Sequence, residues 1–141
     1  MPYATLSDHV LPRVAIVEDD EILTFLFKEI CQSAGYEIAW QAANVADALL
    51  RLGEDPPDVV LLDFALEGKG DGIEILSACH RDHPEMSTIL TTGWDRSRLE
   101  ARIDYVAPDH VLQKPIKPAD LADVLEVLSL RRRRSHLAYA A

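Results

Sequence analysis

Short apolar runs, rich in β-branched residues, recur along the chain and predict five strands. The run at 59–62 has four consecutive aliphatic residues between two aspartates. It shows no alternation of apolar and polar positions, which is typical of a strand covered on both faces. The five predicted strands are 13–17, 37–41, 58–63, 87–92 and 110–113.

Between these runs, apolar residues return every three or four positions, the spacing of one helix face. Gly35 follows the first such segment, where the C-terminal turn of a helix commonly needs glycine. Asn44 is a plausible N-cap for the second helix, and Gly53 with the prolines that follow predicts its end. The third helix is predicted from the apolar residues Ile73, Ile75, Leu76 and Cys79, and the fourth is predicted over 99–106. The last helix is predicted from Leu121, Val124, Leu125 and Leu128.

Strict alternation of strand and helix predicts an α/β fold with a parallel sheet and helices on both faces. Right-handed crossovers restrict it to doubly wound topologies. We expect a flavodoxin-like (βα)5 arrangement with strand order 2-1-3-4-5. The sequence divides into a leader over 1–12, one domain over 13–130 and a basic tail over 131–141.

Length and charge narrow the possible functions. A chain of 141 residues can form one core, and a net charge of −10 argues against direct DNA binding. The four arginines at 131–134 are either the solvated end of a helix or a docking or linker segment. No signal peptide or membrane-spanning run is apparent, so we expect a cytoplasmic protein. Cys31 and Cys79 are expected to be buried, reduced thiols.

Chemically useful side chains follow four of the predicted strands. Glu18 and Asp19 come after the first, Asp63 ends the third, Thr92 ends the fourth and Lys114 follows the fifth. In doubly wound sheets ligands bind beyond the carboxyl ends of the strands, so we expect these residues to share a site.

Three carboxylates at one site need compensation, because two such charges about 4 Å apart repel by about 4 kcal/mol near a protein surface. A proton, a cation such as Lys114 or a bound metal would supply it, and oxygen ligands suit Mg²⁺ (or Mn²⁺). Asp63 would then be a nucleophile toward a phosphoryl group. Taken singly, each residue also has an ordinary structural explanation, and Asp20 and Glu21 are expected only to cap a helix.

The order of these motifs resembles the response-regulator receiver domains of bacterial two-component signalling. The likeness covers roughly 13–130 and is carried by the segments at 14–21 and 59–63 and by Thr92-Gly93 and Lys114-Pro115. The intervals agree as well, with 44 positions from Asp19 to Asp63 and 22 from Thr92 to Lys114. Each motif is common alone, whereas the set in this order is specific.

The resemblance implies a role for each site residue. Asp63 would be the phosphoacceptor, Thr92 and Lys114 would contact the phosphoryl oxygens, and the Lys114–Pro115 bond would be cis. The implied metal ligands are Glu18, Asp19, Asp63 and the backbone carbonyl of Ala65.

The resemblance also implies a signalling role. A histidine kinase or phosphotransfer protein would donate the phosphoryl group from a phosphohistidine, and phosphorylation would switch the binding of a partner protein. The domain would catalyse only its own phosphorylation and slow dephosphorylation, so it is not expected to be an enzyme. A homodimer is possible.

Three features depart from the family pattern. The loop at 66–72 lacks the usual proline and is about one residue longer. Val111 stands where an aromatic ring usually changes rotamer, so His110 or Trp94 is a candidate substitute. Neither Ala65 nor Trp94 can position an attacking water, which predicts slow autodephosphorylation with Trp94 shielding the phosphoryl group.

Three alternatives remain at this stage. A phosphatase of the haloacid dehalogenase type would need a second aspartate where Ala65 stands. A flavodoxin-like cofactor binder would need a glycine-rich loop after the first strand, where acids stand instead. The third alternative is the receiver domain of a hybrid histidine kinase or a multidomain regulator, with 131–134 opening a linker; the native-looking leader and the stop soon after Tyr139 argue against this.

Overall fold

The computed structural model describes residues 10–66, 72–103 and 106–140. Five strands alternate with five helices along these residues. The strands are β1 (Arg13–Val17), β2 (Glu37–Ala42), β3 (Val59–Asp63), β4 (Ser87–Thr92) and β5 (His110–Gln113). The helices are α1 (Glu21–Ser33), α2 (Val45–Glu54), α3 (Gly72–Asp82), α4 (Arg96–Ile103) and α5 (Pro118–Ala140).

All strand pairs are parallel, and the order across the sheet is β2-β1-β3-β4-β5. The predicted α/β class and strand order are therefore confirmed. β3 lies at the centre and is buried along its whole length, as its uninterrupted apolar run predicts.

The sheet separates two apolar cores. One lies against α1 and α5 and includes Phe27, Leu121 and Leu125, and the other lies against α2, α3 and α4. Cys31 and Cys79 are buried free thiols, as predicted, and the structure places them on opposite faces of the sheet. Burial raises the pKa of Cys31 to about 12.

Two aspartates, each just before a strand, accept a hydrogen bond from the backbone near the start of the neighbouring strand. Asp58, just before β3, accepts a hydrogen bond from the N–H of Arg13 at 2.8 Å. Asp109, just before β5, accepts one from the N–H of Thr88 at 2.8 Å. These bonds align the amino ends of β1 with β3 and of β4 with β5, which helps to set the register that brings their carboxyl ends together.

One predicted helix boundary is confirmed and one is wrong. α2 ends at Glu54, between Gly53 and the prolines that follow Asp55, and Gly53 itself is exposed and free of steric conflict. α4 begins at Arg96, three residues before the predicted start, because Asp95 caps it by accepting a hydrogen bond from the N–H of Arg98. The apolar spacing used for the prediction carries no information about that cap. The predicted N-caps Asp20 and Asn44 are confirmed.

α5 extends through the basic run and past it, so the arginines at 131–134 do not form the last turn of a helix. Arg132 forms an ion pair with Asp58, and the Tyr36 hydroxyl donates to the carbonyl of Leu125 at 2.7 Å. Both contacts hold α5 against the amino-terminal side of the sheet. Among the described residues, no helix is both long and apolar enough to cross a membrane.

Candidate functional site

The predicted carboxylates meet at the carboxyl edge of the sheet. Val17 pairs with Leu62 in the β1–β3 register, so the residues that follow them, Glu18 and Asp63, come to lie side by side. One carboxylate oxygen each from Glu18, Asp19 and Asp63 lies within 4.8 Å of the others. We call these three residues the acidic site.

Lys114 lies at the same edge. Its Nζ is 3.2 Å from Asp63 Oδ1 and 3.4 Å from Glu18 Oε1. The Lys114–Pro115 bond is cis, as expected, and the N–H of Lys114 donates to the carbonyl of Thr92 at 2.7 Å. Burial acts to lower the pKa of Lys114, but the charges of Asp63 and Glu18 outweigh it and hold that pKa above its ordinary value.

Glu18 is one of two acids of the site that are almost fully buried, since Glu18 and Asp63 are each only 4% exposed. Burial raises the pKa of Glu18 to about 8, the neighbouring Asp63 adds to the shift, and Lys114 opposes it. Its Oε2 atom is buried without a hydrogen-bond partner. A buried carboxylate oxygen without a partner is costly, so a group that binds it would be stabilised there.

These observations fit a divalent cation. The donors are carboxylate oxygens, which hard cations such as Mg²⁺ prefer. Three carboxylates supply one donor oxygen each within reach of one ion, and the orphaned Glu18 oxygen provides a further ligand position. The acidic site therefore has both the charge and the donor atoms that a magnesium ion requires.

Thr92 lies at this edge, and its hydroxyl oxygen accepts a hydrogen bond. Thr91 pairs with Asp63 in the sheet, so Thr92 is one residue beyond that pair. Thr92 is buried, and its Oγ1 accepts a hydrogen bond from the N–H of Trp94 at 2.9 Å. The hydroxyl proton is not used by that bond and can still be donated.

The segment after β3 turns sharply at the site. The N–H of Ala65 donates to Asp63 Oδ1 at 3.3 Å, and that of Gly72 donates to the carbonyl of Phe64 at 2.9 Å. A Cβ on Gly72 would lie 2.9 Å from the carbonyl oxygen of Asp63, so only glycine fits without movement. The expected longer loop falls largely on 67–71, outside the described residues.

An aromatic contact beside the site was not predicted. The rings of Phe64 and Trp94 meet edge-on with centroids 4.8 Å apart, and the guanidinium of Arg98 lies 4.3 Å from the Trp94 ring centroid. Gln113 Nε2 donates to the carbonyl of Trp94 at 2.8 Å. The sequence signal for Trp94 was its position two residues after Thr92, whereas Phe64, Arg98 and Gln113 carried no comparable signal.

Comparisons with known proteins show which family the chain belongs to. The sequence model of the response regulator receiver domain family matches residues 14–126 of the chain. This match covers most of the chain, and the chain therefore belongs to the receiver domain family of two-component response regulators. The membership decides against the phosphatase and cofactor-binder alternatives.

Similar proteins include the chemotaxis protein CheY of Thermotoga maritima, 25% identical over 83% of this chain and 97% of that protein. The transcriptional regulatory protein AruR of Pseudomonas aeruginosa is 33% identical over 94% of this chain and 54% of that protein. The chain thus spans nearly all of one relative and about half of the other. A CheY-like receiver domain from Methanospirillum hungatei matches with a TM-score of 0.78 and 26% identity, over 89% of this chain and 99% of that one.

Proposed function

We propose that Asp63 accepts a phosphoryl group from a phosphohistidine of a histidine kinase or phosphotransfer protein. The observation that carries this proposal is the convergence of Glu18, Asp19 and Lys114 on Asp63. Family membership supports it, because phosphoryl transfer and magnesium dependence are general among receiver domains.

In this reaction an Asp63 carboxylate oxygen attacks phosphorus while the bond from phosphorus to the donor histidine nitrogen breaks. The nitrogen keeps the bonding electron pair and takes up a proton, and Asp63 becomes an acyl phosphate. Lys114 can then pair with a phosphoryl oxygen, and the Thr92 hydroxyl can donate to another.

Glu18, Asp19 and Asp63 would hold Mg²⁺, with the backbone carbonyl of Ala65 as a further ligand. When bound, the ion would neutralise negative charge on the phosphoryl oxygens. Glu18 contributes only as a carboxylate, so its proton must leave when the metal binds.

An exposed apolar surface beside the acidic site supports a protein as donor. Ile22 and Phe25 of α1 are 80% and 65% exposed. Phe25 lines a cleft of about 520 Å³ together with Glu18 and Asp19. A donor protein that covers these side chains would gain apolar burial while bringing its phosphohistidine to Asp63.

We propose that phosphorylation changes the binding of the domain to a partner protein. The domain is proposed to span 13–130. We propose that the domain acts on its own aspartate and on no separate substrate, and that it works in the cytoplasm. A direct role in DNA binding is not part of the proposal, because the chain carries a net charge of −10. A hybrid kinase or multidomain regulator containing this domain, and a homodimer, are both compatible with the site.

The proposal is tested by incubating the protein with acetyl phosphate, with Mg²⁺ or with EDTA, and measuring intact mass. We expect one added phosphoryl group that requires Mg²⁺ and is lost in Asp63→Asn. Asp47→Asn is a matched control, because Asp47 lines the same cleft but lies outside the acidic site. Modification that persists in Asp63→Asn, or that needs no metal, would contradict the proposal.

A further inference from the structure

Trp94 contacts three different elements at the carboxyl edge of the sheet. Its N–H donates to Thr92 Oγ1 at 2.9 Å, at the end of β4. Its carbonyl accepts from Gln113 Nε2 at 2.8 Å, at the end of β5. Its ring packs edge-on against Phe64, just after β3, with centroids 4.8 Å apart. The backbone and the ring of Trp94 are therefore both held by residues of the site edge.

Two of the residues that contact Trp94 are chain neighbours of the proposed phosphoacceptor and of the lysine that pairs with it. Phe64 follows Asp63 in the chain, and Gln113 precedes Lys114. Lys114 and Asp63 are in contact at 3.2 Å. A change in charge at Asp63 that moves the lysine or the adjoining backbone therefore acts on both neighbours of Trp94.

The Trp94 ring also contacts a residue at the protein surface. The guanidinium of Arg98, an exposed residue of α4, lies 4.3 Å from the ring centroid, a cation–π geometry. The next residue, Leu99, is buried in the core, so the helix is anchored while Arg98 remains at the surface. The position of the indole therefore influences what α4 presents to a partner protein.

We propose that Trp94 transmits the phosphorylation state of Asp63 to α4, in the place of the aromatic residue that is absent at position 111. This inference rests on the proposed phosphorylation of Asp63. A hydrogen bond from Thr92 to a charged phosphoryl oxygen is stronger than the neutral bond that Thr92 Oγ1 accepts from Trp94. Movement of Thr92 toward the phosphoryl group stretches the bond to Trp94, and the indole shifts against Phe64 and Arg98.

The other residues considered for this role are less suitably placed. Val111 is 39% exposed on β5, and its side chain has neither a ring nor a polar atom. His110 pairs with Ile89 near the start of β5, away from the carboxyl edge where Thr92 and Gln113 pair. Trp94 alone of these three contacts Thr92 among the hydrogen bonds of the described residues.

Tryptophan fluorescence tests the first half of the relay. Trp40→Phe leaves Trp94 as the single tryptophan, and Trp94→Phe leaves the buried Trp40. With beryllofluoride and Mg²⁺, we expect the emission of the Trp40→Phe protein to change and that of the Trp94→Phe protein to stay constant. Constant emission in the Trp40→Phe protein, under conditions where beryllofluoride binds, would overturn the inference.

Backbone amide chemical shifts test the second half. On adding beryllofluoride with Mg²⁺, the amides of Asp63 and Leu99 are expected to shift in the wild type and in Val111→Ala. In Arg98→Ala and Trp94→Ala we expect the Asp63 shift to persist and the Leu99 shift to fall by more than half. Arg98→Ala removes an exposed side chain, so the test remains available if Trp94→Ala does not fold.

The outcomes separate this inference from the proposed function. If beryllofluoride shifts no amide near Asp63 in the wild type, the proposed function fails and this inference fails with it. If the Asp63 shift is present and the Leu99 shift is undiminished in Arg98→Ala and Trp94→Ala, the relay is wrong while the phosphoacceptor assignment stands.

Discussion

Lys114 and Glu18 follow strands that are not neighbours, yet Lys114 Nζ lies 3.4 Å from Glu18 Oε1. β3 and β4 lie between their strands, and the lysine reaches across the carboxyl edge of both. The same ammonium group contacts Asp63 Oδ1. Lys114 therefore offsets the repulsion between two buried carboxylates before any phosphoryl group is present.

The first prediction concerns removal of this cation. In EDTA at pH 8, Lys114→Gln is expected to lower the free energy of unfolding by about 1–3 kcal/mol, because it leaves buried carboxylate oxygens without their partner. The loss should be smaller at pH 6, where Glu18 is protonated and the site carries less charge. Urea denaturation at the two pH values measures both quantities.

Lys117→Gln is the control for that measurement. Lys117 is an exposed lysine three residues further on, and its loss should change stability by no more than about 0.5 kcal/mol. An equal effect of both substitutions would show that Lys114 has no special role in balancing the acidic site.

The second prediction concerns pH. Burial raises the pKa of Glu18 from its ordinary 4.5 to about 8, so between these values the folded state binds a proton that the unfolded state lacks. Glu18 thus contributes stability to the metal-free protein that is full below pH 4.5 and is lost as pH rises through about 8. Glu18→Gln should therefore stabilise the metal-free protein more at pH 8 than at pH 5, as measured by urea denaturation.

The same proton predicts pH-dependent metal binding. The proposed Mg²⁺ site uses the Glu18 carboxylate, so the affinity for Mg²⁺ should rise by up to about tenfold per pH unit as pH increases toward 8, with one proton released. Titration calorimetry in two buffers of different ionisation enthalpy measures the affinity and the proton count. An affinity that does not change from pH 6 to pH 8 would mean that Glu18 is not the titrating ligand.

The third prediction compares two glycines. Gly72→Ala should lower the free energy of unfolding by about 1–3 kcal/mol, because its Cβ would approach the backbone of Asp63 and Phe64 at 2.9–3.0 Å. Gly53→Ala should raise it by about 0.5–1 kcal/mol, since Gly53 lies within α2 and a Cβ there meets nothing within 4 Å. Thermal or urea unfolding of the pair measures the difference, and equal effects would be incompatible with this path of the chain after β3.

The fourth prediction concerns the donor surface. Phe25→Ser should slow phosphoryl transfer from a cognate kinase while leaving modification by acetyl phosphate unchanged, because only the protein donor needs the apolar surface of α1. Leu50→Ser is the control, since Leu50 is 61% exposed but lies on α2, on the opposite face of the sheet. Equal slowing by both substitutions, or slowing with acetyl phosphate, would remove the support for docking at α1.

The sequence predicted the topology and the acidic site because both depend on strand order. Once the strands are parallel and β1 neighbours β3, the residues after Val17 and Leu62 must meet, whatever their side chains do. Lys114 was found for the same reason. These predictions needed only the position of each residue at the end of its strand.

The contacts of Trp94 could not be predicted in this way. The stacking of Arg98 on Trp94 depends on where α4 begins, and the apolar pattern missed the cap at Asp95 that sets this start. The edge-on packing of Phe64 depends on side-chain rotamers, which strand order does not determine. The steric need for glycine at position 72 likewise depends on the path of the loop.

Chemical trapping of the phosphorylated residue tests the central claim most directly. The protein is incubated with acetyl phosphate and Mg²⁺, reduced with borohydride, which converts an aspartyl phosphate to homoserine, and sequenced by tandem mass spectrometry. We expect homoserine at position 63 and at no other aspartate. Homoserine at Asp19 or another acid, or none after phosphorylation has been detected by intact mass, would contradict the assignment of Asp63 as the phosphoacceptor.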